Sequence, residues 1–221
     1  MIIVIDGPAG SGKSSTAKAL AGKLEIKFLD SGALYRAVTY LWLQSDKPDR
    51  EQFFEFLSGV TIDTDYKDDT FFVKINRKDI TSEIRTQNVA DHVSEIASIP
   101  RIREFVNSYM RKLVKSSVYI ADGRDLGTAV FPDADLKFYM DASLEERAER
   151  RFAEMQQSDP GISLSEVKEN LRSRDFKDQN RSADPLKKAE DAIVIDTTGK
   201  TFEQQTSEMA EIIRNRIKIK Q

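Results

Sequence analysis

Apolar residues along this chain come in two rhythms. Five short, largely apolar runs, IIVI (2–5), IKFL (26–29), VYIA (118–121), LKFYM (136–140) and AIVI (192–195), are each followed at once by an aspartate: Asp6, Asp30, Asp122, Asp141 and Asp196. Largely apolar runs of this length suit strands covered on both faces, as in a parallel sheet. Between most of them the spacing turns helical, as with Ala17, Leu20, Ala21 and Leu24 at i, i+3, i+4 and i+7. The alternation predicts an α/β fold that binds ligands at the carboxyl ends of its strands. Most of the terminal aspartates read as helix caps. Asp122, inside ADGRD, is better placed for chemistry.

Two segments interrupt the alternation. Between Gly59 and Thr86 the apolar spacing drops to two, with turn clusters YKDD and NRKD, which predicts a small antiparallel insert. A long helical region follows over roughly 87–115, punctuated by Pro100. The second break, MQQSDPGISLS (155–165), is a polar loop between arginine-rich helices, and reads as a mobile cover for a substrate.

The stretch DGPAGSGKSS, residues 6–15, lies between the first strand and the first helix. Gly7, Gly12, Lys13 and Ser14 satisfy G-x-x-x-x-G-K-[ST], a phosphate-binding loop. The glycines let successive N–H groups point inward at phosphate oxygens, and a helix beginning near Lys13 aims its positive end at the same place. Gly7, Pro8, Ala9, Gly10, Ser11, Gly12, Lys13, Ser14 and Ser15 would then cradle a nucleoside triphosphate. Lys13 would reach its outer phosphates and the Ser14 hydroxyl would ligate Mg²⁺.

With 221 residues the chain suffices for one domain with a sizeable core. Its net charge of −3 argues against a nucleic-acid protein that works through a broad basic face. Cysteine is absent, which excludes disulfides and thiolate metal sites. No apolar run approaches the length of a membrane span, so a soluble cytoplasmic protein is expected, and His92 reads as a solvated helix residue.

The positive charge is concentrated instead. DSGALYRA offers Ser31, Tyr35 and Arg36, and ADGRDLGT offers Arg124 and Asp125. DASLEERAERRFAE opens with a capping box, Ser143 to Glu146, and places Arg147, Arg150 and Arg151 on nearly one face. LRSRDFKDQNR sets Arg174, Asp178 and Arg181 along one helical stripe. Alone, any of these groups would be a solvated ion-pair ladder. Together with the loop they predict a site for two phosphorylated ligands, where cations surround a transferring phosphoryl group.

These motifs, with RDFKDQNRSADPLKKAEDA, DITSEIRT and VSEIASIPRIREFV, strongly resemble the bacterial cytidylate kinases over nearly the whole chain. Ser15 departs from that pattern, since a threonine is usual there. The resemblance implies a phosphate-binding-loop core with a five-stranded parallel sheet, an antiparallel monophosphate-binding insert and a small lid. The core would cover about 1–35, 116–150 and 165–221, the monophosphate-binding part about 36–115 and the lid about 151–164. It further implies transfer of the γ-phosphate of ATP to CMP or dCMP, with Mg²⁺, by a monomer that binds neither nucleic acid nor membrane. Ser31, Arg36, Arg124 and Arg181 would hold the acceptor nucleotide, and Arg174 and Asp178 its ribose. Ser94, Arg103 and Asp125 would read cytosine. Asp122 would orient Mg²⁺-bound water, and Lys13, Arg124, Arg147 and Arg151 would serve the transferring phosphoryl. A uridylate, adenylate or shikimate kinase would share the first motif but has no evident use for the other constellations together. A GTP-binding switch would need an N-K-x-D stretch, which the sequence lacks.

Overall fold

The fold is described from a computed structural model, over residues 1–45, 49–68, 70–156 and 160–217. The five apolar runs form β1 (Ile2–Asp6), β2 (Lys27–Asp30), β6 (Tyr119–Asp122), β7 (Leu136–Asp141) and β8 (Ile193–Asp196). They pair in the order β2-β6-β1-β7-β8, all parallel. Each strand runs through its aspartate, because the ladder continues one residue past the apolar run. β1 is the middle strand, and Ile3, Val4 and Ile5 have no exposure at all. The chain leaves it toward β2 and β6 on one side and returns to β7 and β8 on the other. A crevice therefore opens at its carboxyl end, where order reverses.

Helices cover the sheet. α1 (Lys13–Leu24) buries Ala17, Leu20 and Ala21 as its spacing requires, and packs beside α8 (Phe202–Arg216). α2 (Ser31–Gln44) leads to α3 (Arg50–Ser58) and then to a second sheet, β3 (Ile62–Lys67), β4 (Thr70–Ile75) and β5 (Lys78–Asp79). This is the antiparallel insert that the period-two spacing predicts. Asn76 and Arg77 both have positive φ, 49° and 71°, the geometry a tight β-hairpin needs. Phe71 meets Phe28 edge-on, which docks the insert on the core. Pro100 divides the long helical region into α4 (Gln87–Ile96) and α5 (Pro100–Leu113), sitting at the first position of α5 where its missing N–H costs nothing. α6 (Leu144–Met155) and α7 (Leu164–Asn180) follow β7 and pack against each other. The loop expected to cover a substrate lies partly outside the described residues. Among those described, no helix is long and apolar enough to cross a membrane.

The terminal aspartates correct one expectation. Only Asp30 caps a helix, accepting from the Ala33 N–H at 2.8 Å. The helices after β1, β7 and β8 start further along the chain, and Ser143 and Thr201 cap the last two. Asp141 and Asp196 brace local turns, through the N–H groups of Ala142 and Thr198. Asp6 reaches across to the turn after β6, accepting from Leu126 N–H at 2.9 Å and Gly127 N–H at 2.7 Å. Burial pushes its carboxyl up to about 6, and Asp125 adds to this, while the two N–H groups and Lys13 oppose it.

Two expected outcomes follow from this packing. At Gly7 (φ 146°) an added Cβ would lie 2.0 Å from the Met140 carbonyl oxygen, whereas at Gly22 nothing lies within 4 Å. Gly7→Ala should lower the unfolding free energy by about 2–4 kcal/mol, and Gly22→Ala in exposed helix should raise it by about 0.5–1 kcal/mol. Urea unfolding of both variants checks this contrast.

Folded Asp6 keeps its proton between pH 4 and 6, where the unfolded chain has already released it. Its contribution to stability is therefore full below pH 4 and falls as pH rises through about 6. Asp6→Asn lacks this dependence, so its stability relative to wild type should improve by about 2–3 kcal/mol from pH 4 to pH 7. Parallel slopes for the two proteins across that range would contradict the assignment.

Candidate active site

The loop after β1 wraps the amino end of α1, with Gly12 left-handed at its N-cap (φ 88°). Lys13 opens the helix and is buried, its Nζ donating to the Pro8 carbonyl at 2.5 Å and to Ser11 Oγ at 3.2 Å. Burial and the nearby Arg124 hold its ammonium well below the usual lysine range, against the pull of Asp122 and Asp6. Pro8 and Ser11 thus steady Lys13 rather than face a cavity.

Ser14 follows one residue on and donates to Asp122 Oδ2 at 2.5 Å. The other oxygen of Asp122 is buried without a hydrogen-bond partner. Asp30 lies opposite Asp122 in the strand register. Burial first, then Asp30, pushes the Asp122 carboxyl up to about 7. No group of three or more acidic or histidine side chains among the described residues could cage a metal by itself. A buried, unpartnered carboxylate oxygen beside a hydroxyl does fit a hard cation shared with phosphates, which Mg²⁺ favours over an all-protein cage.

Two cavities meet above this floor. One, of about 350 Å³, is lined by Ser31, Tyr35, Ser94, Asp125, Asp178 and Arg181, among others. The second, of about 280 Å³, is lined by Ala9, Gly10, Gly12, Lys13 and Ser15, with Arg150 beside them. Ser14, Arg36, Arg124, Arg151 and Arg174 line both. Four guanidinium groups therefore stand where the cavities join. Burial, then Arg124, with Arg36 and Arg151 adding to it, presses the Arg174 guanidinium down to about 10, although Asp178 resists. Its Nε is buried without a partner. Such a cluster is unfavourable alone and favourable around an anion.

The far end of the first cavity is a closed ion-pair network. Asp125 is buried, with one oxygen on Arg103 and the other on Arg181 at 2.7 Å. Arg103 also donates to Asp184 at 2.8 Å and to the Ala97 carbonyl at 3.2 Å, and its guanidinium lies over the Tyr35 ring at 5.3 Å. Tyr35 in turn donates to Asn107 Oδ1 at 3.0 Å. Arg103 lies behind Asp125 and lines neither of the two cavities.

Several pairings differ from those the sequence suggests. Asp178 takes its partner from the turn after β6, Arg124 Nε at 3.0 Å, with Arg181 at 3.8 Å, and not from Arg174 four residues earlier. α7 ends at Asn180, so Arg181 is its cap residue and bends toward Asp125. Arg147, expected at the transferring phosphoryl, donates to the Ala142 and Ala9 carbonyls and pairs with Asp175 at 2.6 Å. Arg150 lines the second cavity, while Arg151 at the cavity junction pairs with Glu154 at 2.8 Å. No sequence pattern singles out Asp175 or Asp184, and Asp30 reads there only as a helix cap. The available signal for Asp30 is its place at the end of an apolar run, as with Asp122; that the two lie side by side is decided by strand order.

One solved structure shares this architecture. An uncharacterized protein from Eubacterium ventriosum superposes with a TM-score of 0.56 at 13% identity, covering 98% of this chain and 99% of that one. A protein from Thermus thermophilus gives 0.47 at 17% identity, over 99% of this chain and 98% of that one. Residues 3–215 match the cytidylate kinase family. The match runs through the sheet, the insert and both arginine-bearing helices, and the chain belongs to the cytidylate kinase family.

Proposed function

We propose that the protein transfers the γ-phosphate of ATP to CMP or dCMP. The observation that carries this reading is the junction of two cavities at Ser14, Arg36, Arg124, Arg151 and Arg174. A donor bound along the phosphate loop and an acceptor in the other cavity would meet there, with cations on the oxygens of the moving group. Phosphoryl transfer asks for positioning and charge stabilisation more than for covalent chemistry.

In this reading the loop holds ATP through Ala9, Gly10, Gly12, Lys13, Ser14 and Ser15, and Lys13, steadied by Pro8 and Ser11, reaches its outer phosphates. Ser31, Arg36, Arg124 and Arg181 hold the acceptor nucleotide, and Arg174 and Asp178 meet its ribose. Ser14, and Asp122 through water, would hold Mg²⁺, which when bound offsets charge on the phosphates. Arg151, at the junction, stabilises the phosphoryl group in transit.

Ser94 and Asp125 face the base and read it, while Arg103, expected to read it too, holds Asp125 in place from behind. Cytosine presents an amino donor beside an acceptor nitrogen, and uracil presents the reverse. A carboxylate has about four lone-pair sites, so Asp125 can accept from the amino group while holding both arginines. Uracil would set a carbonyl against that carboxylate, a mismatch of about 1–3 kcal/mol.

Chromatography of products after mixing with ATP, Mg²⁺ and each monophosphate tests this directly. CDP and dCDP should form fastest. Slow hydrolysis with no transfer would instead indicate a switch protein. Lys13→Ala should remain folded and lose about a thousandfold or more in kcat. A near-normal kcat would remove Lys13 from the mechanism. Asp178→Ala should raise KM for CMP about tenfold or more and leave KM for ATP nearly unchanged, since only one nucleotide meets it. An equal change in both would put Asp178 outside the acceptor pocket.

A further inference from the structure

The peptide of Ala9 is gripped on both sides by helices that lie outside the phosphate loop. Its carbonyl accepts from Arg147 Nη1 at 2.8 Å, and its N–H donates to Asp175 Oδ1 at 3.0 Å. Arg147 Nη1 also donates to Asp175 Oδ2 at 2.6 Å, which closes the ring, and its Nε holds the Ala142 carbonyl at 3.1 Å. Ala9 packs with Ala148, Val167 and Leu171 in an apolar cluster of its own, apart from the main core. The fit is close: a Cβ on Gly10 would lie 3.4 Å from Arg147 Cβ.

Both sides of this grip matter for the site. The loop it holds belongs to the donor cavity, and Asp175 sits on α7 between Arg174 and Asp178, which face the acceptor. Neither Asp175 nor Arg147 lines either of these cavities. They cannot act by touching a nucleotide there, but they hold together the two elements that do.

We propose that Asp175 is a positioning residue, with Arg147 as its partner, that clamps the phosphate loop to α7 and so fixes the donor phosphates relative to the acceptor. The inference rests on the phosphotransfer reading above. With the clamp loosened, each nucleotide still finds its own contacts, but the two no longer align. A displacement of about 1 Å in such a site can cost about a hundredfold in rate.

Asp175→Asn keeps the shape of the side chain and removes its charge. The acceptor used is whichever monophosphate the wild type phosphorylates, so a different preferred acceptor would revise the base reading and leave this test intact. Calorimetric ATP affinity and acceptor KM should stay within about threefold of wild type, while kcat falls about thirty- to a hundredfold. Arg147→Lys, which keeps the charge but loses the fork, should show the same split, and it carries the test if Asp175→Asn does not fold. The double variant should be no slower than the worse single variant, as expected of residues acting as one unit. The proposal is overturned by a kcat within threefold of wild type, or by a loss that only follows the fraction of folded protein. Additive losses, or ATP affinity falling as far as kcat, overturn it too. Absence of transfer to every monophosphate by wild type would overturn both this proposal and the kinase reading.

Discussion

Lys13, Arg36, Arg124, Arg151 and Arg174 are drawn into one cleft, and like charges moved out of water repel one another while losing hydration. That crowding is the constraint on which the rest of the structure depends. It can persist only if the elements bearing the charges are held by something stronger than the repulsion. The fully buried middle of β1 and its two parallel neighbours supply that rigidity. Lys13 comes from the helix after β1, Arg36 from α2, Arg124 from the turn after β6, and Arg151 and Arg174 from α6 and α7. Order reversal at the sheet centre brings these separate stretches to one edge.

Aspartates complete the arrangement by dividing the work. Asp125 absorbs the charge of Arg103 and Arg181, and Asp178 that of Arg124. Asp175 holds Arg147 and the Ala9 peptide. Asp6 fastens the turn that carries Arg124 and Asp125 to the end of β1. Among the described residues, the buried side-chain atoms left without a partner are Asp122 Oδ1 and Arg174 Nε, both in the cleft. Buried polar atoms are nearly always satisfied, so their concentration here marks the place where a polar ligand completes the structure.

The insert follows a different logic. Its antiparallel sheet docks on the core through Phe71 and Tyr66 against Phe28, while α4 and α5 bring Ser94 and Arg103 toward the far wall of the acceptor cavity. Arg103 is buried yet fully engaged, by two carboxylates, a carbonyl and the face of Tyr35. A buried guanidinium is tolerable only with such engagement.

The sequence alone determined what depends on neighbours along the chain. Largely apolar runs specified the five strands, period-two spacing specified the insert, Pro100 marked the start of α5, and the glycine pattern before Lys13 announced the phosphate loop. Each rests on backbone conformation or on which face of an element is apolar, both of which are local. Tertiary structure alone decided which charge meets which. Nothing in the spacing of Arg174 and Asp178 says that the aspartate will turn to Arg124, fifty-four residues away in sequence. Nor does an arginine stripe on α6 say that Arg147 will turn inward to Ala9 while Arg150 and Arg151 remain in the cleft. An ion pair forms with whichever opposite charge packing brings within reach, and that reach is set by strand order and helix docking. The fold class and the phosphate loop were therefore legible from residue order, whereas the roles of the individual arginines and aspartates became so only once the sheet had assembled them.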